Sequence, residues 1–93
     1  KIVDVRKSSE FASEHIKEAT NAPLDFINDA MSQLDKDEPV YIHCAGGYRS
    51  MIFVSILKAR GYDNLIDVKG GFKSIKETNK FELTDYVCPS TLL

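Results

Sequence analysis

Short apolar runs alternate along the chain with stretches in which apolar residues recur at helical spacing. The runs at residues 2–5, 40–43 and 65–68 have strand length and carry Val and Ile, and a fourth is read at 19–22. Helices are predicted at 8–14, opened by Ser8 and Ser9, at 24–34 behind Pro23, at 49–60, and at 71–78. Strands alternating with helices imply a parallel sheet, because each parallel pairing needs a crossover. Val40, Tyr41 and Ile42 are apolar on successive residues, as expected of a central strand covered by helices on both faces. In the third helix Met51, Ile52, Phe53, Val54, Ile56 and Leu57 cover most of the circumference, which predicts a largely buried helix. Gly61, directly after Arg60, suits its left-handed C-terminal cap. The tail at 84–93 shows no regular period.

A length of 93 residues accommodates one domain, 1–93, of which 80–93 is read as a C-terminal tail. The chain opens inside a strand pattern without a methionine, so it is expected to be an N-terminally truncated fragment of a longer polypeptide. With 43% hydrophobic and 28% charged residues, and a longest apolar run of 51–54, the composition gives no membrane-spanning segment. A formal charge of -2 with interspersed signs offers no basic face for a phosphate backbone, which argues against nucleic acid as a partner. Two cysteines, Cys44 and Cys88, lack paired spacing. That excludes a disulfide framework and a zinc site, requires no cofactor or metal, and favours a reducing, cytoplasmic compartment.

In open α/β sheets, ligands lie beyond the carboxyl ends of the strands. Arg6 follows the first strand, Cys44-Ala-Gly-Gly-Tyr-Arg49-Ser50 the central one, and Lys69-Gly70-Gly71-Phe72 the last, so all three are expected to face one pocket. A cysteine at the end of a buried strand, followed by two glycines and a helix, lies beneath that helix's N-terminus. There the unpaired amides and positive dipole end favour the thiolate, and Gly46 and Gly47 allow the loop to curl its amides inward. Cys44 is thereby the candidate nucleophile. Arg49 adds a permanent cation able to hold an anionic donor or to bond the loop's own carbonyls.

Ile2-Val-Asp-Val-Arg6, Glu10-Phe11, His15-Ile16, Asn21-Ala-Pro23, the Cys44 to Ser50 loop and Gly70-Gly71 together resemble the ordered signature of the rhodanese homology domain, over nearly the whole chain. The resemblance implies a three-layer α/β fold: a central parallel sheet of about four to five strands with helices on both faces. It implies a sulfurtransferase in which Cys44 takes a sulfane sulfur from thiosulfate or a low-molecular-weight or protein persulfide and passes it to a thiol or cyanide. The amides of Ala45, Gly46, Gly47, Tyr48 and Arg49 would cradle the transferred sulfur beside Ser50, Arg49 would close the loop or bind the donor, and Arg6 and Glu10 would form an ion pair. The implied partners are a small-molecule sulfur donor and a thiol acceptor. Asn21 to Asn28, Cys44 to Met51 and the Cys-Pro-Ser-Thr-Leu-Leu ending are also similar to rhodanese modules fused behind metallo-β-lactamase-like persulfide dioxygenases.

Glu14 and Glu18 stand where the family often has glycine, and Ile75 where an aromatic is usual. Ala45 and Tyr48 replace basic side chains common in thiosulfate-preferring members, which predicts a persulfide rather than thiosulfate as donor. Four residues separate Cys44 from Arg49, one fewer than in cysteine-dependent phosphatases and arsenate reductases, whose loops surround a tetrahedral oxyanion. A non-catalytic rhodanese-like interaction module is the other alternative, and such modules typically lack the cysteine. Asp4 is read as a polar group bonded to neighbouring amides, Tyr48 as a pocket wall, Cys88 as a free tail thiol, and His43 as pointing away from Cys44 by strand alternation.

Overall fold

The computed structural model describes residues 1–86 apart from Gln33 and Asp35; the expectations for Cys88 and the end of the tail lie outside the described residues. Strands β1 (Ile2–Asp4), β2 (Thr20–Asn21), β3 (Val40–His43) and β4 (Leu65–Asp67) form one wholly parallel sheet in the order β2-β1-β3-β4. Helices α1 (Ser8–Ser13), α2 (Ile27–Met31), α3 (Tyr48–Ala59) and α4 (Gly71–Thr78) connect and cover them. The chain steps outward from β1 to β2 and then crosses to the other side of β1 for β3. The order therefore reverses between β1 and β3, and the crevice at that reversal is where the Cys44 loop emerges.

Alternation along the strands sorts the core into two layers. Val3, Val5, Val40 and Ile42 pack with Ala30 of α2 and with Phe53 and Leu57 of α3, while Ile16, Phe72 and Ile75 pack with Ile2 and Val68 on the opposite face. That second face is only partly covered. Tyr41 is 45% exposed and, with Ile66, Phe81 and Ile75, lines an apolar groove of about 580 Å³. The expectation that both faces of the central strand are sealed is corrected here: α4 is eight residues long and packs its Phe72 and Ile75 with Ile16, Ile2 and Val68, leaving Tyr41 half exposed.

Other local expectations are also revised. Helix α3 buries Ser50, Phe53 and Leu57 and leaves Met51 half exposed, so it carries a one-sided stripe and is not wrapped by the core. The segment predicted as one helix at 24–34 breaks into a 3-10 turn, Leu24–Phe26, and α2, because Phe26 leaves helical geometry at φ -119°, ψ 42°. Lys7 rather than Ser8 or Ser9 precedes α1, and its N–H donates to the Glu10 carboxylate at 3.2 Å. Beyond Lys80 the chain returns to pair antiparallel with 15–17, with Lys17 N–H donating to Glu82 O and Thr84 N–H to His15 O.

Candidate active site

Cys44 directly follows β3 and is 1% exposed. Its Sγ accepts the Gly47 N–H at 3.1 Å and lies 3.5 Å from Ser50 Oγ, which in turn donates to Gly47 O at 3.3 Å. Burial is the largest single influence on the thiol and pushes its pKa up. The Ser50 hydroxyl and the amides of Ser50, Gly47 and Gly46 together outweigh burial and hold the group below its ordinary value. The thiolate is thus favoured chiefly by hydrogen-bond donors packed around the sulfur.

Gly47 makes this possible. It has φ +101°, a left-handed conformation that turns the chain into α3 with its N–H toward the sulfur. The cradle is pinned from behind by α4. The N–H of Phe72 donates to Cys44 O at 2.6 Å and that of Lys73 to Ala45 O at 3.3 Å, so two of α4's orphan amides are satisfied by loop carbonyls. In a trans peptide the carbonyl and the next N–H point in opposite directions, so anchoring these two carbonyls turns the Ala45 and Gly46 N–H groups away from α4. Gly71 permits the contact: a Cβ there would collide with Cys44 O and stand 2.6 Å from Ala45 O, at a φ of +60°. Gly71→Ala is therefore expected to displace the loop, raise the thiol pKa and slow alkylation of Cys44 near neutrality by about tenfold or more, as measured by the pH dependence of iodoacetamide reaction.

The charged residues are paired differently from expectation. Arg6 does not bond Glu10. Its Nε and Nη2 donate to the Asp4 carboxylate at 2.8 to 3.0 Å, its own N–H reaches Asp4 Oδ1 at 2.9 Å, and its guanidinium lies 4.3 Å from the Phe72 ring centre. The two-residue spacing along an extended strand end places Arg6 over Asp4, whereas Glu10 is carried by α1 to Arg49. Asp4 satisfies the Arg6 amide as expected of a structural polar residue, but its main partner is the guanidinium. Arg49 donates from Nη1 and Nη2 to the two Glu10 oxygens at 2.6 and 3.1 Å, tying the first turn of α3 to α1.

Arg49 holds the Glu10 carboxyl below its ordinary value against a smaller opposing effect of burial. A carboxyl depressed in the folded state adds stability that is fully present above its unfolded pKa and lost as pH falls through the folded one. Glu10→Gln should thus be most destabilising near neutrality, with the gap to the parent protein closing below about pH 4, as read by urea midpoints across the range.

Of the remaining predicted site residues, Ala45 is half buried, Gly46 is exposed, Ser50 is fully buried against the sulfur, and Tyr48, 70% exposed, opens α3 as a rim and not a wall. Among the described residues no cluster of three or more His, Cys, Asp or Glu could hold a metal ion, and no helix is long and apolar enough to cross a membrane. Sequence reasoning missed the Glu10 to Arg49 pair and the Gly71 contact. The double glycine after β4 was the available signal for the second.

A parallel α/β sheet with a cysteine in an amide cradle at its topological switch point defines a class of anion- or sulfur-handling sites. The chain belongs to the rhodanese-like family: the rhodanese-like domain matches residues 1–78. It is similar to a rhodanese-like domain protein of Staphylococcus aureus, at 39% identity and a TM-score of 0.78 over 88% of this chain and 78% of that one. Among curated proteins it is similar to thiosulfate sulfurtransferase GlpE of Shewanella oneidensis, at 31% identity over 84% of this chain and 77% of that protein. It also matches YqhL of Bacillus subtilis at 35% and HIGH ARSENIC CONTENT 1 of Arabidopsis thaliana at 34%, each over 77% of this chain. The chain spans about half the length of these two, 57% and 50% respectively.

Proposed function

We propose that this chain is a sulfurtransferase that carries a sulfane sulfur as a persulfide on Cys44. The observation that carries the reading is the cradle itself, a buried sulfur accepting the Gly47 N–H with the Ser50 hydroxyl alongside, donors that hold the thiol below its ordinary value. In the first half-reaction the Cys44 thiolate attacks the outer sulfur of the donor. The donor's sulfur–sulfur bond breaks, and its remaining thiolate or sulfite leaves with the bonding pair. In the second, an acceptor thiolate or cyanide attacks the outer sulfur of the Cys44 persulfide, and Cys44 departs as the thiolate from which it began. The inward amides stabilise the negative charge on the outer sulfur in between.

The preferred donor in this reading is a low-molecular-weight or protein persulfide. Arg49 is the loop's only cation, and its guanidinium is committed to Glu10, which supports a loop-closing role over capture of thiosulfate. The four-residue spacing between Cys44 and Arg49 favours a single sulfur over a tetrahedral oxyanion, and so favours sulfur transfer over phosphatase or arsenate reductase chemistry. A reducing compartment such as the cytoplasm suits a working thiolate.

The test is intact mass after brief exposure of the reduced protein to glutathione persulfide and, separately, to thiosulfate, followed by dithiothreitol or cyanide. One added sulfur, faster from the persulfide and removed by the acceptor, is the expected result. Faster loading from thiosulfate would overturn the donor assignment. No loading from either, in folded reduced protein, would overturn the transferase reading in favour of a binding module.

A further inference from the structure

His43 is a fully buried imidazole for which sulfur transfer has no direct use. It projects from β3 to the face opposite the α3 side of the sheet, its Nδ1 lies 3.3 Å from Cys44 O, and its ring stacks on Phe72 with centres 6.0 Å apart. Its Nε2 has no hydrogen-bond partner and stands 3.8 Å from Asp4 Oδ2. A bare ring nitrogen facing a carbonyl oxygen at that separation would be repelled by it, so the hydrogen belongs on Nδ1 and the lone pair on Nε2. A second proton would place a cation in an enclosed site beside Arg6, and the Asp4 carboxylate that could compensate it already accepts four bonds from Arg6. Burial, the largest influence, keeps the imidazole's pKa below its ordinary value despite the opposing pull of Asp4.

We infer that His43 is a positioning residue: as the neutral Nδ1–H tautomer it donates to the Cys44 carbonyl and, together with the Phe72 N–H, fixes the first peptide of the loop whose Gly46 and Gly47 amides act on the sulfur. This deepens the reading of Cys44 as the nucleophile and rests on it. The same carbonyl is held from α4 by Phe72, whose ring touches both the imidazole and the Arg6 guanidinium, so Asp4, Arg6, Phe72 and His43 act as one support behind the loop.

The tautomer is read directly from long-range nitrogen–proton correlations of the imidazole in labelled, reduced protein at neutral pH. Nδ1–H is expected, and an Nε2–H tautomer or an imidazolium would overturn the inference. Two variants report the consequence through the pH dependence of Cys44 alkylation, which needs no sulfur donor. His43→Asn keeps a donor near the Nδ1 position and should hold the thiol midpoint within about half a pH unit, whereas His43→Leu, with none, should raise it by about one unit. Equal midpoints in the two variants would overturn the inference. Should His43→Leu not fold, a shift of a full unit in His43→Asn would do so instead. A normal tautomer and midpoint in a protein that nonetheless fails to load sulfur would refute the proposed activity and leave the role of His43 standing.

Discussion

Cys44→Ser is expected to abolish sulfur transfer while leaving the domain folded. A serine hydroxyl is not ionised near neutrality and forms no persulfide, so turnover should fall by about 10³-fold or more, to the uncatalysed background. The fold should hardly notice the change. The serine oxygen is smaller than sulfur and meets the same partners, the Gly47 N–H and the Ser50 hydroxyl, so the new polar group is satisfied and the loss of stability should stay near about 1 kcal/mol. Both halves are checkable on one sample, by melting temperature and by intact mass after exposure to glutathione persulfide. Loading that survives the substitution would move the sulfur to another residue and sink the assignment.

Asp4→Ala should instead destroy stability. Its carboxylate is completely buried and accepts four hydrogen bonds from Arg6, whose side chain is only 7% exposed. Removing it leaves a guanidinium enclosed with the Glu14 carbonyl and the Phe72 ring as its remaining company. Breaking one side of a buried pair costs about 3–5 kcal/mol. A domain of this size has roughly 5–10 kcal/mol in total. A drop in melting temperature of roughly 15–30 °C is expected. The double variant Asp4→Ala with Arg6→Met removes the stranded charge and should recover part of the loss. A single variant that melts within a few degrees of the parent would show that the pair contributes no net stability.

Much of this architecture was legible in the chain because it rests on short-range signals. The β-branched runs at β1, β3 and β4 and the cysteine–glycine loop between strand and helix dictate a parallel sheet and the place of the nucleophile, and strand alternation put His43 on the face away from the cradle. Helix ends were read less well. The first helix starts at Ser8 as read, but the residue that caps it is Lys7, whose amide the Glu10 carboxylate reaches, and not Ser8 or Ser9. What failed systematically was pairing across the chain. Arg6 had two acids within reach in sequence, and choosing between Asp4 and Glu10 needed the path of α1, which carries Glu10 to Arg49, 39 residues away. The covering of β3 failed for a similar reason: an apolar strand reads the same whether the second face is sealed or, as at Tyr41, half open.

The docking of α4 onto the carbonyls of Cys44 and Ala45 sets an order of events during synthesis. The cysteine leaves the ribosome well before Gly71, Phe72 and Lys73, and at ordinary elongation rates that interval is on the order of seconds. Throughout it the thiol belongs to an unanchored loop, with its amides free to turn outward and its proton held as in any unfolded chain. The donors that favour the thiolate are therefore assembled late, when α4 closes on the loop, and until then the thiol is no more prone to alkylation or oxidation than that of an unfolded chain.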